Sequence, residues 1–198
     1  MDRTVSVAVR ERADVWWSNA DRHRRGRLDL RAATAEIVTD VLSAMGHDPS
    51  LGPGIANRYR DLREERVIVF DGAIETLTWL REKGVRLGMM TNGAGFAQRA
   101  KIERFGLARY FEHIIIEGEF GVGKPDPSVY NTLLRELGST AGNTWAIGDN
   151  LTMDVYGAMD VGIHGIWIDP TDRGVPVDWR EPDRTVRGLS ELRSDGQV

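Results

Sequence analysis

Between about residue 70 and residue 168, largely apolar runs of strand length alternate with segments of helical periodicity, and no other feature restricts the fold so tightly. The runs are Val85 to Met90, Ile114 to Ile116, Trp145 to Ile147 and Ile163 to Ile168. A run with little polar alternation suits a strand covered on both faces, which is the situation of a parallel strand beneath crossover helices. Between the runs, Ile74, Leu77 and Leu80, then Phe96, Ala100 and Phe105, then Val129, Leu133, Leu134 and Leu137, and finally Met153 with Ala158 mark the helices. The pattern predicts an α/β chain with a three-layer Rossmann-like parallel sheet and right-handed crossovers. The last stretch, Thr171 to Val198, is rich in Pro, Asp and Arg until Val186, Leu189 and Leu192, and predicts a surface wrap ending in a small element.

The first third reads differently. Val5, Ala8, Val9, Val15 and Trp16 recur at near-helical spacing, and Ala33, Ile37, Val38, Val41, Leu42 and Met45 do so more regularly. Asp29 caps the second pattern and Gly46 stops it, while Ile55, Tyr59 and Leu62 mark a shorter third helix. The reading divides the chain into a helical segment, 1–66, and an α/β core, 67–198. Trp16-Trp17 is expected to pack against the main domain, with a substrate wall as the alternative. The basic run Arg22 to Arg27, lying between two helical patterns and carrying no interleaved aromatics, reads as a solvated turn rather than a nucleic-acid site.

Composition removes several function classes. A chain of 198 residues, 41% hydrophobic, can bury a core of its own. Its formal charge of -4 is spread along the sequence, so no nucleic-acid groove is indicated. There is no cysteine, which excludes disulfides and thiolate metal sites. No apolar run approaches the roughly 20 residues of a membrane span. The four histidines, His23, His47, His113 and His164, are dispersed without metal-ligand spacing. These properties set the expectation of a cytoplasmic protein, monomeric or homodimeric, without nucleic-acid or membrane partners.

Three short segments stand where an α/β sheet binds ligands, at or beyond strand ends. Thr91-Asn92-Gly93 closes the first run, offering a hydroxyl and the amides of Asn92 and Gly93 to phosphate oxygens. Lys124 lies in Gly123-Lys124-Pro125-Asp126, a stiff loop from which an ammonium can neutralise charge between a phosphate and a carboxylate. Asp149 ends the run from Trp145, and Asp154 follows five residues later, a hard oxygen pair of the kind Mg²⁺ takes. Taken singly, each is as readily a turn, a surface lysine or a helix cap. Glu117 and Glu119 are expected to be solvent-exposed, with shaping of the lysine loop as the alternative. Gly118 to Lys124 also fits the spacing of a nucleotide phosphate loop, but Pro125 replaces its hydroxyl residue and rejects that reading.

In their order, the three segments resemble the haloacid dehalogenase-like (HAD) hydrolase superfamily, over about Asp71 to Leu192. The resemblance implies that Thr91, Asn92, Gly93 and Lys124 bind phosphate, with Thr91 and Lys124 catalytic. It implies that Asp149 holds Mg²⁺ with Asp154 as its supporting acid, and that the helical segment is a small cap that selects the substrate. Thr91 and the spacing of Asp149 and Asp154 fit the phosphatase branch, whose substrate would be a small phosphorylated metabolite.

Family members open with a strand ending in Asp-x-Asp, which supplies the nucleophile and the proton donor, and no such pair occurs in this sequence. Val67-Ile68-Val69-Phe70-Asp71 is the nearest substitute, but Ala73 stands at the second position and Asp71 reads as a turn or cap residue. The resulting expectation is a chain that starts within the first cap helix and lacks the family's central first strand, leaving two inner sheet edges to be paired otherwise. Such a chain is inactive or truncated as a phosphatase. The alternative is a non-catalytic phosphate-binding or protein-interaction domain on the same scaffold.

Overall fold

The computed structural model describes residues 3–194, and the chain divides into two compact units, Met1–Ile68 and Val69–Val198. The first unit contains α1 (Arg3–Ser18), α2 (Ala20–Leu28), α3 (Leu30–Ala44) and α4 (Gly52–Glu65). Side-chain caps set the starts. Asn19 accepts the Arg22 N–H at 3.0 Å, and Asp29 accepts the Ala32 N–H at 3.0 Å. α3 is the organising helix, its buried Ala33, Ile37, Val38, Val41 and Leu42 forming one continuous stripe. Val38, Val41 and Leu42 pack on Val5 of α1, with Ile55 of α4 against the same cluster. Trp16 is fully buried against Ala33 and Ile37 and donates to Glu36 Oε1 at 3.0 Å. That tryptophan is therefore used inside the helical unit, where the sequence suggested packing on the main domain. The basic run Arg22 to Arg27 is also corrected: it lies within α2, not in a turn. Its hidden anchor is Gly26, buried where a Cβ would overlap the Trp16 ring.

The second unit contains α5 (Ala73–Glu82), β1 (Gly88–Thr91), α6 (Gly95–Arg104), β2 (His113–Ile116), α7 (Glu117–Phe120), α8 (Pro127–Glu136), β3 (Trp145–Gly148), a π-helical turn (Leu151–Tyr156), α9 (Gly157–Met159), β4 (His164–Ile168), β5 (Arg184–Val186) and α10 (Glu191–Ser194). The strands form two small parallel sheets, β1–β2 and β3–β4–β5. Thr91 sits opposite Ile116, Gly148 opposite Trp167, and Ile168 opposite Val186. The alternation in the sequence thus produces an α/β unit, and its parallel strands are divided between two sheets instead of joining in one. β1 and β3 are not hydrogen-bonded to each other, and no strand of the described residues pairs with the remaining edge of either.

Helix α8 holds both sheets through apolar contact instead of a shared ladder. Val129 and Leu133 pack with Ile115 and Met90, while Tyr130 and Leu134 pack with Ala158 and Ile163 and take Met90 and Ala146 against the same cluster. β5 is an addition to the sequence reading, which left Arg184 to Val186 in a surface stretch. Val186 joins Ile166 and the fully buried Leu192 of α10 in a third apolar cluster. Among the described residues no helix is long and apolar enough to cross a membrane.

Candidate phosphate site

Two of the three sequence segments lie at the carboxyl ends of β1 and β3 in the second unit, the lysine segment lies in the loop between α7 and α8, and one side chain locks that loop to the end of β1. β1 delivers Thr91, half-buried, and the chain turns at Gly93, whose φ of 119° is open to glycine and strained for other residues. The Asn92 side chain reaches across to the lysine loop, where its Oδ1 accepts the Lys124 N–H at 2.8 Å and its Nδ2 donates to the Lys124 carbonyl at 2.8 Å. This paired contact consumes both ends of the amide. Asn92 therefore has its backbone N–H, not its side chain, to offer a phosphate. The following Lys124-Pro125 peptide is cis, and Asp126 caps α8 by accepting the Ser128 N–H at 2.9 Å.

The Lys124 ammonium donates to the Met90 carbonyl at 2.9 Å and pairs with Asp154 Oδ1 at 2.7 Å. Both side chains are largely buried, 15% and 13% exposed, so the pair lies where screening by water is weak. The second Asp154 oxygen accepts the Asn150 N–H at 3.0 Å. Asn150 caps the π-helical turn by accepting the Met153 N–H at 2.8 Å, and the buried Tyr130 hydroxyl donates to the Met153 carbonyl. Burial, with the nearby Asp154 charge, holds the Tyr130 hydroxyl far above its ordinary pKa, so it stays a proton donor in that bond. Asp149, at the end of β3, is held through its backbone, whose carbonyl accepts the Trp167 indole N–H at 3.1 Å. Its residue surface is exposed.

The structure thus joins Asn92, Lys124 and Asp154 by direct bonds, with Thr91 in the chain between Met90 and Asn92. Asp149 stands next to Asn150, which Asp154 holds. As a cation site the residues fit in part. Mg²⁺ takes one or two carboxylates and completes its shell with water and phosphate oxygens. Asp149 supplies one such carboxylate, whereas both Asp154 oxygens are already occupied, one of them by Lys124. Among the described residues no group of three or more His, Asp or Glu side chains is arranged to hold a metal ion.

The environment of Glu117 departs from the leading sequence expectation. Glu117, expected at the surface, is only 4% exposed and accepts the Gly93 N–H through Oε2 at 2.9 Å. That amide, assigned to phosphate in the sequence, is thus committed to a carboxylate here. Glu119 does face solvent, where it pairs with Arg99 at 2.6 and 2.8 Å. Asp71, the rejected nucleophile, is an exposed turn residue ahead of α5.

The model of the haloacid dehalogenase-like hydrolase family matches residues 3–162 of this chain. Phosphoserine phosphatase of Thermus thermophilus is 34% identical over 147 residues, 70% of this chain and 58% of that protein. Glyceraldehyde 3-phosphate phosphatase of Pyrococcus abyssi is 40% identical over 96 residues, 48% of this chain and 40% of that protein. The chain spans about half the length of these curated relatives. Among solved structures, the magnesium-bound HAD hydrolase YfnB of Bacillus subtilis superposes with a TM-score of 0.78 at 22% identity, covering 100% of this chain and 85% of that one. The HAD phosphatase of Thermococcus onnurineus gives 0.61 at 27% identity, covering 96% and 88%. With sequence match and fold in agreement over most of its length, the chain belongs to the haloacid dehalogenase-like hydrolases.

Proposed function

We propose that this chain is the phosphate-binding part of a magnesium-dependent phosphatase for small phosphorylated metabolites, and that these 198 residues alone do not turn substrate over. The observation that carries the reading is the Lys124 ammonium, fixed between the Met90 carbonyl and Asp154 at the end of the strand that delivers Thr91. An ammonium so held is pre-aimed and loses little on meeting an anion. In this reading the Thr91 hydroxyl and the Asn92 N–H take phosphoryl oxygens, and Lys124 neutralises their charge. Gly93 contributes the turn that brings these donors together. Asp149 would be the direct ligand of Mg²⁺, with Asp154 holding Lys124 and Asn150 in place beside it. When bound, the metal supplies positive charge to the phosphoryl oxygens. The helical unit, by the same reading, is the cap that selects the organic part of the substrate. The two phosphatases named above motivate the substrate class.

Turnover by this chemistry needs a carboxylate nucleophile, and the acidic groups around the site are otherwise engaged or lie on its far strand. We place the attacking group on a further strand between β1 and β3, each of which has one edge unpaired among the described residues and whose ends carry Thr91 and Asp149. The test is Mg²⁺-dependent release of phosphate from p-nitrophenyl phosphate, measured on the chain and on a version extended at its amino end by an apolar strand ending in Asp-x-Asp. Release by the extended version alone, abolished by Asp149→Ala, is the expected result. Release by the unextended chain, or release by the extended version that survives Lys124→Met, would overturn the reading. If neither version hydrolyses the ester but the chain binds orthophosphate, the scaffold is a non-catalytic phosphate-binding domain.

A further inference from the structure

The geometry points to Glu117 as the positioning residue of this phosphate site, a buried carboxylate that fixes the Thr91–Gly93 turn against the lysine loop; the inference rests on the phosphate-site reading above. β1 and β2 run parallel with Thr91 opposite Ile116, and one further backbone bond, Gly118 N–H to the Gly93 carbonyl at 3.0 Å, continues the pairing beyond the strands. Gly93 needs an acceptor for its own N–H there. The chain has already turned into α7, and the Glu117 side chain supplies the acceptor, at 2.9 Å and with only 4% of the residue exposed. A carboxylate gives this amide a charge-assisted bond, roughly twice as strong as one to a neutral carbonyl.

The contact reaches the lysine loop as well. A Cβ on Gly123 would overlap the Glu117 carboxyl carbon and Asn92 Oδ1, so both side chains lie directly against the residue that precedes Lys124. The turn is thus fastened on three sides: Glu117 on the Gly93 N–H, the Asn92 side chain on the Lys124 backbone, and Gln98 Nε2 on the Asn92 carbonyl at 2.9 Å. Glu117 is the charged member of the three, and its contacts take up the alternative that the sequence left beside solvent exposure, the shaping of the lysine loop. It does not touch the phosphate. It holds the backbone from which the Thr91 hydroxyl and the Asn92 N–H are presented.

The test is hydrogen exchange of the Gly93 amide by NMR in the ¹⁵N-labelled chain, beside titration with inorganic phosphate in the presence of Mg²⁺. Glu117→Ala and Glu117→Leu remove the acceptor, the second while filling the volume. Glu117→Gln keeps an acceptor and removes the charge. Loss of the acceptor is expected to speed Gly93 exchange by about 10- to 100-fold and to weaken phosphate binding about tenfold. Exchange at Ile115 and Trp167 should stay unchanged, and Glu117→Gln should return both readouts to within about threefold of the parent. Unchanged Gly93 exchange in either folded acceptor-less variant would overturn the inference, as would failure of Glu117→Gln to rescue. If the parent chain binds no phosphate, the phosphate-site reading fails while Gly93 exchange still decides whether Glu117 is the anchor.

Discussion

Breaking the Lys124–Asp154 pair should cost far more than breaking an ordinary surface ion pair, and the reason lies in burial. The two charges are 2.7 Å apart at 15% and 13% exposure. Their gross attraction at an effective dielectric near 20 is on the order of 5 kcal/mol. Desolvation consumes much of that, offset by the Met90 carbonyl on the ammonium and the Asn150 N–H on the carboxylate. Lys124→Met leaves a buried carboxylate with one donor and should cost about 3 kcal/mol; Asp154→Asn leaves a buried ammonium and should cost about the same. Once one charge is gone, removing the other relieves an uncompensated ion, so the double variant should be no worse than either single one. The coupling energy is then at least about 3 kcal/mol. Urea unfolding of the four proteins at neutral pH, followed by tryptophan fluorescence and far-UV circular dichroism, measures it. The coupling should survive about 1 M salt, which shortens the screening length to about 3 Å in water but acts little on a buried pair. The Arg12–Asp40 pair, 2.5 Å long but 36% and 42% exposed, is the internal comparison and should couple by less than about 1 kcal/mol and fade with salt. A Lys124–Asp154 coupling as small and as salt-sensitive as that of Arg12–Asp40 would refute the claim that this pair is the rigid centre of the site.

Trp16→Ala empties a fully buried site in the helical unit and should destabilise it by about 3 to 5 kcal/mol, read from the thermal transition of that unit. Tyr130→Phe removes the hydroxyl bond to the Met153 carbonyl and should cost about 1 kcal/mol by urea unfolding, with Asp154 kept in place by Asn150. Burial by itself raises the Asp169 carboxyl, but the Gly174 N–H and Arg173 outweigh it and set the group below the usual carboxylate range. A depressed carboxyl stabilises the fold above its unfolded pKa of about 4, and that contribution fades as pH falls through the folded value. Asp169→Asn should therefore narrow its stability deficit relative to the parent as unfolding titrations are carried from pH 7 to acid; a deficit that widens in acid would show the sign to be wrong.

What the sequence revealed and what it concealed follow from the range of each interaction. Strand positions such as Trp145 to Ile147 were legible because an apolar run needs no partner to be recognised, and Asp29 was legible because a cap acts over three residues. The helix at Arg22 to Arg27 was not, since its polar run has no periodic stripe and depends on Gly26 admitting the Trp16 ring. β5 is three residues long and gains its stability from Ile166 and Leu192, partners that local pattern does not connect. How the two inner edges expected from the sequence would be paired is a long-range matter that a list of strands leaves open, and the structure leaves β1 and β3 in separate sheets. In the site, Thr91 and Asp149 could be named from their positions at strand ends and Lys124 from its loop ahead of a helix. Glu117 stayed open between solvent and the lysine loop, because a glutamate after a strand is ordinarily solvated, and only the packing of Gly93 and Gly123 around it makes it internal.

The central claim is that Lys124, the Thr91–Gly93 turn and Asp149 form one phosphate- and magnesium-binding site. Calorimetric titration of the chain with orthophosphate, with and without Mg²⁺, tests it most directly. The account predicts binding that Mg²⁺ strengthens, weakened at least about tenfold by Lys124→Met, with the magnesium dependence lost in Asp149→Ala. Binding that is indifferent to both substitutions, or no binding at all by the folded chain, would contradict it.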